Sequence, residues 1–379
     1  MSGELRIHPV SGNKDLKAFI KVPFNIYKDD PHWVAPLEIE RMGVLKAKKN
    51  PYFQHAEAQY WIAYKGEDMV GRISAQVDQM ALERMDPVTG HIGFFECENN
   101  FETAKALFDT AEGWLKDRGM KKVLGPLSHS TNEEVGLLID GFDEDPRIMM
   151  GHARPYYKDF FEKAGYKKAK DVYAYSVDVT QPFPKKVQRL VEYSMRNPDI
   201  EIRNINLKDY KNELLMFFDI LNDAWADNWG FVGFTAAEVQ HVAMEMKPFI
   251  KDYQTRVCLY KGVPSAFMVT LPDLNQQLKD LNGKLLPFGW AKLLWRTQTK
   301  NPAQVRVPLL GVRKHLQSSP VGGMMVFLLI STIRETIFAN GGQKAELSWI
   351  LEDNTPMRGI LDRIDSYIYK TYRIFKKEI

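Results

Sequence analysis

Residues Val305–Asn340 read VRVPLLGVRKHLQSSPVGGMMVFLLISTIRETIFAN, and the three parts of this stretch decide the fold class. Val305–Val312 is a mostly apolar run of strand length with several β-branched residues. A polar, cationic turn from Arg313 to Pro320 follows and ends on Val321-Gly322-Gly323. A long apolar helix is expected to start near Met324 and to stop at Asn340-Gly341-Gly342, a helix C-terminus signal. Strand, Gly-containing loop and helix N-terminus together suit an anion: backbone N–H groups point outward, and the helix dipole favours negative charge there. Gly322 and Gly323 would let a ligand approach the backbone without a Cβ in the way. The rival reading is a tight connection with no ligand, because short Gly motifs recur by chance.

Working outward, bulk properties narrow the class. A chain of 379 residues suggests two domains, each able to bury its own core. Its 45% hydrophobic and 26% charged residues are ordinary for a globular protein. A net charge of +3 gives no electrostatic case for a general nucleic-acid binder. Cys97 and Cys258 lie in apolar, strand-like runs without a CxxC or a Cys/His cluster, as buried small hydrophobes of a reducing compartment do. No metal is expected. The N-terminus MSGELRIHPV lacks a signal-peptide core, and the longest apolar run, Met324 to Ile330, is short of the roughly 18 residues that cross a bilayer. A cytoplasmic protein is expected, with the inner membrane surface as an alternative position.

The order of elements around the opening stretch occurs twice. In the first half, a strand at Leu5–Val10 precedes a helical face of Leu16, Phe19, Ile20, Phe24 and Tyr27. A hairpin turns at Lys65-Gly66-Glu67-Asp68, His91–Glu98 is a strand, and Phe101–Arg118 is a helix with Gly119 past its end. Strands at Val123–Leu127 and Ala174–Val179 flank a short helix at Tyr156–Gly165. Thr180–Pro198 holds three prolines and reads as the linker. The second half repeats strand, helix, hairpin, strand, loop, helix and strand, and is expected to end in a helix or helix pair over Met357–Phe375. The expected division is therefore residues 1–180, a linker at 181–198, and 199–379, the last with an aromatic insertion at 272–302. That insertion has the composition of an amphipathic cap.

This order resembles the GNAT acyl-CoA N-acyltransferase fold, in which a mixed central sheet splays apart between its fourth and fifth strands. The resemblance implies an α/β fold of two tandem GNAT-like domains, each a mixed sheet flanked by helices. It also implies acyl-CoA as co-substrate, lying in the gap with its pyrophosphate on the loop that opens the next helix. In the second copy Val305–Val312 is similar to the fourth strand, Arg313–Gly323 to the pyrophosphate loop and Ala345–Leu351 to the fifth strand. Asn354 is similar to the Asn-bearing start of the following helix. In the first copy, Tyr157 to Tyr166 resembles the family's Tyr-bearing helix that ends in Gly and an aromatic. The family loop is usually [Arg/Gln]-x-x-Gly-x-[Gly/Ala]. Here Pro320 stands three residues after Gln317 with the glycines adjacent, and Glu98-Asn99-Asn100-Phe101 replaces the loop in the first copy. The first copy is thus expected to be degenerate as a cofactor binder. Narrower segments are similar to tandem GNAT-like proteins of bacteria, the group that includes the bacterial ceramide synthases. They are Trp33-Val34-x-Pro36-Leu37, Gly71-Arg72-Ile73-x-Ala75, Gly93-Phe94-Phe95-x-x-Glu98, Gly125-Pro126-x-Ser128-x-Ser130-x-Asn132 and Asn222-x-Ala224-Trp225-x-x-Asn228-Trp229-Gly230-Phe231.

Acyl transfer from a thioester to an amine needs a proton acceptor, a donor for the carbonyl oxygen, a proton for the leaving thiolate and partners for the phosphates. For the phosphates the expected residues are Val312, Arg313, Lys314, Gln317, Ser318, Ser319, Val321, Gly322, Gly323 and Asn354; the rival for Arg313 and Lys314 is a solvated surface pair. Glu96 and Glu98 share one strand face and are candidate bases, against simple edge-strand solvation. In the second copy the nearest acids are Asp227, Glu346 and Glu352. His129 stands in a polar loop after a strand, where catalytic groups often lie, although a lone His is more often structural. Tyr157 and Tyr369 are candidate acids for the thiolate, against an amphipathic packing role. Trp33, Asn132, Asn228, Trp229 and Phe231 are expected on the acceptor side. No Gly-x-Ser-x-Gly, Walker loop, HExxH or Rossmann fingerprint occurs, so hydrolase, NTPase and dehydrogenase readings lack support. The expected function is acyl-CoA-dependent N-acylation of a lipid-like, sphingoid-base-like amine, with a small-molecule or lipid substrate, no nucleic-acid partner and peripheral membrane contact through 272–302. Two alternatives stand beside it: an aminoacyl-tRNA-dependent transferase of cell-wall precursors, and a non-catalytic GNAT-like binding protein.

Overall fold

The computed structural model describes residues 3–247 and 250–379. Contacts divide the chain into two units, one of Met1–Val172, Leu278–Lys292 and Lys370–Ile379, the other of Tyr173–Gln277 and Leu293–Tyr369. Each is a mixed sheet flanked by helices.

In the first unit β1 (Leu5–Pro9), β2 (Ala56–Lys65), β3 (Asp68–Asp78) and β4 (Thr89–Cys97) form an antiparallel ladder, and β5 (Lys122–Gly125) joins β4 in parallel. Helices α1 (Gly12–Ile26) and α2 (Glu38–Leu45) cover one face through Phe19, Ile20, Val22 and Leu45, which pack with Tyr60, Ile62 and Phe94. After the short α3 (Gln79–Arg84), α4 (Phe101–Lys116) buries Leu107, Phe108, Ala111 and Leu115. Asn100 starts that helix by accepting bonds from the N–H groups of Glu102 and Thr103. β6 (Leu127–Ser128) pairs with β7 (Glu134–Val135), and β8 (Leu137–Asp140), α5 (Tyr157–Lys163) and β9 (Lys167–Asp178) follow. The sheet of this unit is completed from the far end of the chain. Residues 375–378 pair antiparallel with β5, and Tyr372 and Arg373 pair with Leu138 and Leu137.

The second unit has strand order β9, β14 (Lys344–Leu351), β13 (Gln304–Val312), β12 (Val263–Pro272), β11 (Thr255–Tyr260), β10 (Ile200–Asn204). β13 and β14 are parallel, and the ladder from β10 to β13 is antiparallel. The helices are α6 (Lys185–Met195), α7 (Tyr210–Trp225), α8 (Ala236–Met246), the single turns α9 (Asn275–Leu278) and α11 (Lys314–Gln317), α10 (Gly289–Thr299), α12 (Pro320–Ala339) and α13 (Thr355–Arg363). The chain ends in β15 (Tyr367–Glu378). α12 lies at the centre of the core, with ten of its residues buried. It is the one helix among the described residues that is long and apolar enough to cross a membrane, but those buried residues belong to the packed core.

Four expectations need correction. α12 begins at Pro320, about one turn before the expected Met324, because Ser319 caps it and Pro320 fits the first helical position. Gly322 and Gly323 therefore stand inside the helix. The expected helix pair over 357–375 is instead α13 followed by the strand β15, whose aromatic and β-branched residues outweigh the helical spacing read there. The expected linker contains α6, which buries Val187 and Val191, together with Phe183 before it, in the core of the second unit. The contact division also differs from a cut at 180–199: residues 278–292 and 370–379 group with the first unit.

Candidate active site

The fourth strand of each unit carries a β-bulge at the point where its parallel ladder stops. In the second unit β13 and β14 pair only from Gln304↔Lys344 to Val307↔Leu347. Pro308 comes next and has no N–H to donate, so a strand ladder is interrupted there. Against β12, the register passes from Leu271↔Arg306 to Val269↔Leu309, so three steps on β13 face two on β12. The extra residue reverses the facing of β13. Val305 and Val307 before the bulge, and Leu310 and Val312 after it, all pack on the α12 side. Beyond the bulge Pro308, Leu309 and Leu310 are half-buried, as are Trp349, Ile350 and Leu351 on β14. The two strands thus part in the second unit.

At the foot of this gap lies a buried polar network. Arg306 and Glu346 are paired opposite each other, both side chains essentially without solvent, with Arg306 Nε 3.4 Å from Glu346 Oε1. Ser348 Oγ donates to Glu346 Oε1 at 2.6 Å, and Arg306 Nε donates to Ser348 Oγ at 3.0 Å. The hydroxyl of Tyr369 donates to Glu346 Oε2. The Arg306 guanidinium also stacks over the Trp349 ring, 4.8 Å from its centroid. The expected Tyr369 is therefore joined to Glu346, one of the acids near the second copy's site. Arg306 and Ser348 were missed. Their signal is a lone charge in VRVPLLGV and two polar residues on one face of the otherwise apolar AELSWIL.

The expected phosphate loop is more self-contained than its spacing suggests. Arg313 pairs with Asp219 at 2.5 Å, Lys314 Nζ with Asp227 at 2.5 Å, and the Lys314 N–H donates to Asp223 at 2.8 Å. These three acids are spaced along α7 and its end. Gln317 Nε2 donates to the carbonyls of Ala224 and Val312. The Ser319 N–H donates to Leu316 O, Gly322 N–H to Ser319 Oγ and Gly323 N–H to Ser319 O. Ser318 closes α11, and Val321 follows Pro320 in the first turn of α12. A Cβ on Gly322 would lie 2.1 Å from Leu316 O, whereas one on Gly323 would meet nothing within 4 Å. Gly322 is thus needed for α11 to pack on α12, which corrects the reading of it as an open approach. Asn354 caps α13 by accepting the Met357 N–H at 3.1 Å. On the other side of β13, Trp225 Nε1 donates to Leu310 O at 3.2 Å, and the buried Phe231 lies edge-on to Trp225. Asn228 and Trp229 form the turn between them; Asn228 N–H donates to Trp225 O, and its carbonyl accepts from Phe231.

In the first unit the corresponding gap is closed. The β4–β5 ladder stops at His91↔Leu124, and the bulge falls between Gly93 and Glu96, with Phe94 at φ 44°. Here Gly93 is required, since a Cβ would lie 2.0 Å from Leu127 O. Phe94 N–H donates to Ser128 Oγ, so residues 127 and 128 sit in the gap. His129 follows and is completely buried. Its Nε2 lies 2.7 Å from the Tyr60 hydroxyl, and it stacks on Tyr52, with Phe53 and Phe94 edge-on. The polar-loop reading of His129 fails because aromatic residues from three segments enclose it. Asn132 N–H donates to Ser130 Oγ nearby.

Glu96 and Glu98 are not a carboxylate pair. Glu96 is bonded to the buried Arg72, whereas Glu98 lies past the end of β4, pairs with Lys65 and accepts from Thr103 Oγ1. Tyr157 is fully buried and accepts the Cys97 N–H at 2.9 Å. Burial raises its pKa well above the ordinary value, helped by Tyr27 and by the charge of Glu96. So in the first unit the charge of the half-buried Glu96 acts on Tyr157, whose own hydroxyl is shut away from solvent. Trp33 stacks on Tyr27 at 5.4 Å and meets Phe24 edge-on, a packed position at the end of α1. Among the described residues no group of three or more His, Cys, Asp or Glu is arranged to hold a metal ion.

The fold is that of a tandem GNAT protein from the clavulanic acid biosynthesis pathway, which superposes with a TM-score of 0.59 over 99% of this chain and 98% of that one, at 11% identity. The fold class defined is that of chains with two copies of the GNAT fold. The chain is also 39% identical to the bacterial ceramide synthase of Caulobacter vibrioides, over 100% of this chain and 98% of that protein. It is 41% identical over 366 residues to the protein YghO of Escherichia coli, covering 96% and 93%. It belongs to the family of these two proteins. No protein-family profile matches the chain.

Proposed function

We propose that this protein transfers an acyl group from acyl-CoA to the amine of a long-chain, sphingoid-base-like acceptor, and that the second copy carries the chemistry. The observation that carries this reading is the parted, bulged strand pair β13/β14 with the Arg306–Glu346–Ser348–Tyr369 network at its foot. Its substrate class is supported by full-length similarity to a protein named as a ceramide synthase.

In this reaction the amine nitrogen forms a bond to the thioester carbonyl carbon, the C–S bond breaks, and the proton lost by the amine must end on the departing thiolate. Tyr369 is suited to pass that proton, because its half-buried hydroxyl already donates to Glu346. Glu346 would accept the proton through Tyr369 and return it, while Arg306 and Ser348 hold the carboxylate in place. The phosphates of acyl-CoA are assigned to the first turn of α12, with Arg313 and Lys314 turning to them from Asp219 and Asp227. Those ion pairs are largely exposed and cost little to break. The first copy, with residues 127 and 128 in its gap, is assigned no acyl-CoA. Free, buried Cys97 and Cys258 suit a cytoplasmic location, with peripheral membrane contact through 272–302 belonging to the same reading.

The test is direct. Purified protein is incubated with acyl-CoA of several chain lengths and a long-chain amino alcohol, and the amide product is measured by mass spectrometry together with free thiol release. Amide formation matched one-to-one by CoA release is expected. Binding of acyl-CoA without turnover for any amine would sink the catalytic reading in favour of a binding protein.

A further inference from the structure

Residues 281–304 contain Lys284, Lys292, Arg296 and Lys300 but no Asp or Glu. Within this acid-free stretch the large apolar side chains face outward: Leu286 is 80% exposed, Phe288 78% and Trp290 54%. This departs from the usual behaviour of such residues, which are scattered singly when they reach a surface. The segment is held at its start, since the Glu38 N–H donates to Gly283 O at 3.0 Å within the first unit. That bond sets Ile39, itself 72% exposed, beside the segment. Trp290 is fixed by bonds of its backbone N–H to Leu285 O and of its indole N–H to Pro287 O. The indole therefore has its polar edge satisfied and its apolar face turned to solvent.

We propose that residues 284–292, with Ile39, form an interfacial surface that docks on an anionic lipid bilayer. Aromatic and Leu side chains interleaved with Lys, in a stretch without acids, have the composition of an element that lies in the headgroup region. The charge is complementary to anionic lipid: the stretch itself carries no acid, and the acids beside it are paired, Asp280 with Lys292, Glu38 with Lys21 and Glu40 with Arg41. The inference deepens the reading of a lipid-like acceptor, because a long-chain amine is held in a membrane and not in water. It does not depend on catalysis for its test.

Flotation of the purified full chain with vesicles is the measurement, using phosphatidylcholine alone and a 7:3 mixture with phosphatidylglycerol. The protein is expected to float with the anionic vesicles at least tenfold more than with the neutral ones, and to be released in part by salt. The triple variant Leu286→Glu, Phe288→Glu, Trp290→Glu is expected to lose flotation at least tenfold while keeping the thermal midpoint of the parent, since all three side chains are exposed. The double variant Lys284→Gln, Lys292→Gln is expected to lose the preference for anionic lipid. Amide formation from water-soluble short-chain substrates should be unchanged in the triple variant, so failure of the surface and failure of the acyl-transfer reading are told apart. Absence of flotation by the parent, or equal flotation by the triple variant, overturns the proposal. So does parent self-association that the triple variant abolishes without any vesicle binding, which would mean that a second copy covers the surface.

Discussion

Arg306 and Glu346 face each other on the last but one rung of the β13–β14 ladder, with almost no water to share their charges. Replacing either would leave its partner as an uncompensated buried ion, so loss of activity could not be told from loss of fold. Tyr369 is the cleaner probe, because Phe keeps the ring and removes only the hydroxyl that donates to Glu346. Tyr369→Phe is expected to lower kcat by on the order of 100-fold, the usual scale for a removed proton-transfer group. Its thermal midpoint should stay within a few degrees of the parent, and turnover within about threefold of the parent would remove Tyr369 from the reaction. A second residue reports on stability. His91 on β4 is buried, and burial pushes its pKa down to about 4 against the pull of the Asp78 charge. The folded pKa lies below the unfolded one of about 6.5. His91 therefore stabilises the neutral-pH fold in full above pH ~6.5, and this contribution, roughly 3 kcal/mol, is lost as pH falls towards 4. Denaturant midpoints at several pH values should fall through this window, less steeply for His91→Gln; parallel curves would contradict it. His152, whose pKa burial also lowers, and the ion-paired Asp30, Asp145 and Asp171, whose pKa values are lowered by their partners, contribute to the slope that remains. Of these residues Tyr369 was legible as one tyrosine among several, and Glu346 as a nearby acid. Arg306 was not, since nothing local says that a strand arginine will meet a carboxylate some forty positions on. His129 misled for the same reason: Tyr52, Tyr60 and Phe94 reach it from elsewhere in the chain.

The helix after β13 illustrates what an element owes to its ends. Its C-terminus was read correctly from Asn340-Gly341, and Gly341 does adopt the left-handed φ of 84° that such an end requires. Its N-terminus lies about a turn before the glycines suggest, because Ser319-Pro320 is a cap followed by a first-position proline and not part of the turn. The displacement changes what the two glycines are for, and that difference can be measured. Gly322→Ala would drive a methyl to 2.1 Å from the Leu316 carbonyl, backbone that can yield only by moving α11 away from α12. It is expected to cost about 1–3 kcal/mol. Gly323→Ala meets nothing and exchanges a flexible helical glycine for the best helix former, so it should stabilise by up to about 1 kcal/mol. Opposite shifts of the unfolding midpoint are the expected result. Equal shifts in either direction would mean that the α11–α12 contact does not have this geometry. The bulges in β4 and β13 lie at the same scale and were not legible. Both strands read as uninterrupted runs, and a bulge is a property of two strands in register, with Pro308 its one visible trace.

Across the whole molecule, the doubled element order was readable because each copy repeats the same alternation of periods, two along strands and 3.6 along helices. What could not be read is where the last strand goes. The apolar spacing of the segment fits a helix, yet it forms β15, and its final residues close the sheet of the first unit. The side chains explain the attachment. Tyr372, Ile374 and Phe375 are essentially without solvent, and Phe161 stacks on Phe375 with ring centroids 4.9 Å apart. Arg373 forms two bonds to Asp171, and Lys377 bonds both oxygens of Glu112. A chain ending at Tyr369 loses three buried side chains worth roughly 1.5–3 kcal/mol each. The total of about 5–9 kcal/mol is comparable with the whole stability of a domain, about 5–15 kcal/mol. It also leaves β5 as an unpaired edge, which invites association with other chains. The truncated protein is therefore expected to be insoluble or to be digested rapidly within residues 1–172 by a dilute protease, while a synthetic peptide covering 367–379, added during refolding, restores resistance. A truncated chain with the thermal midpoint of the parent would show that the first unit holds its sheet together without the C-terminal strand.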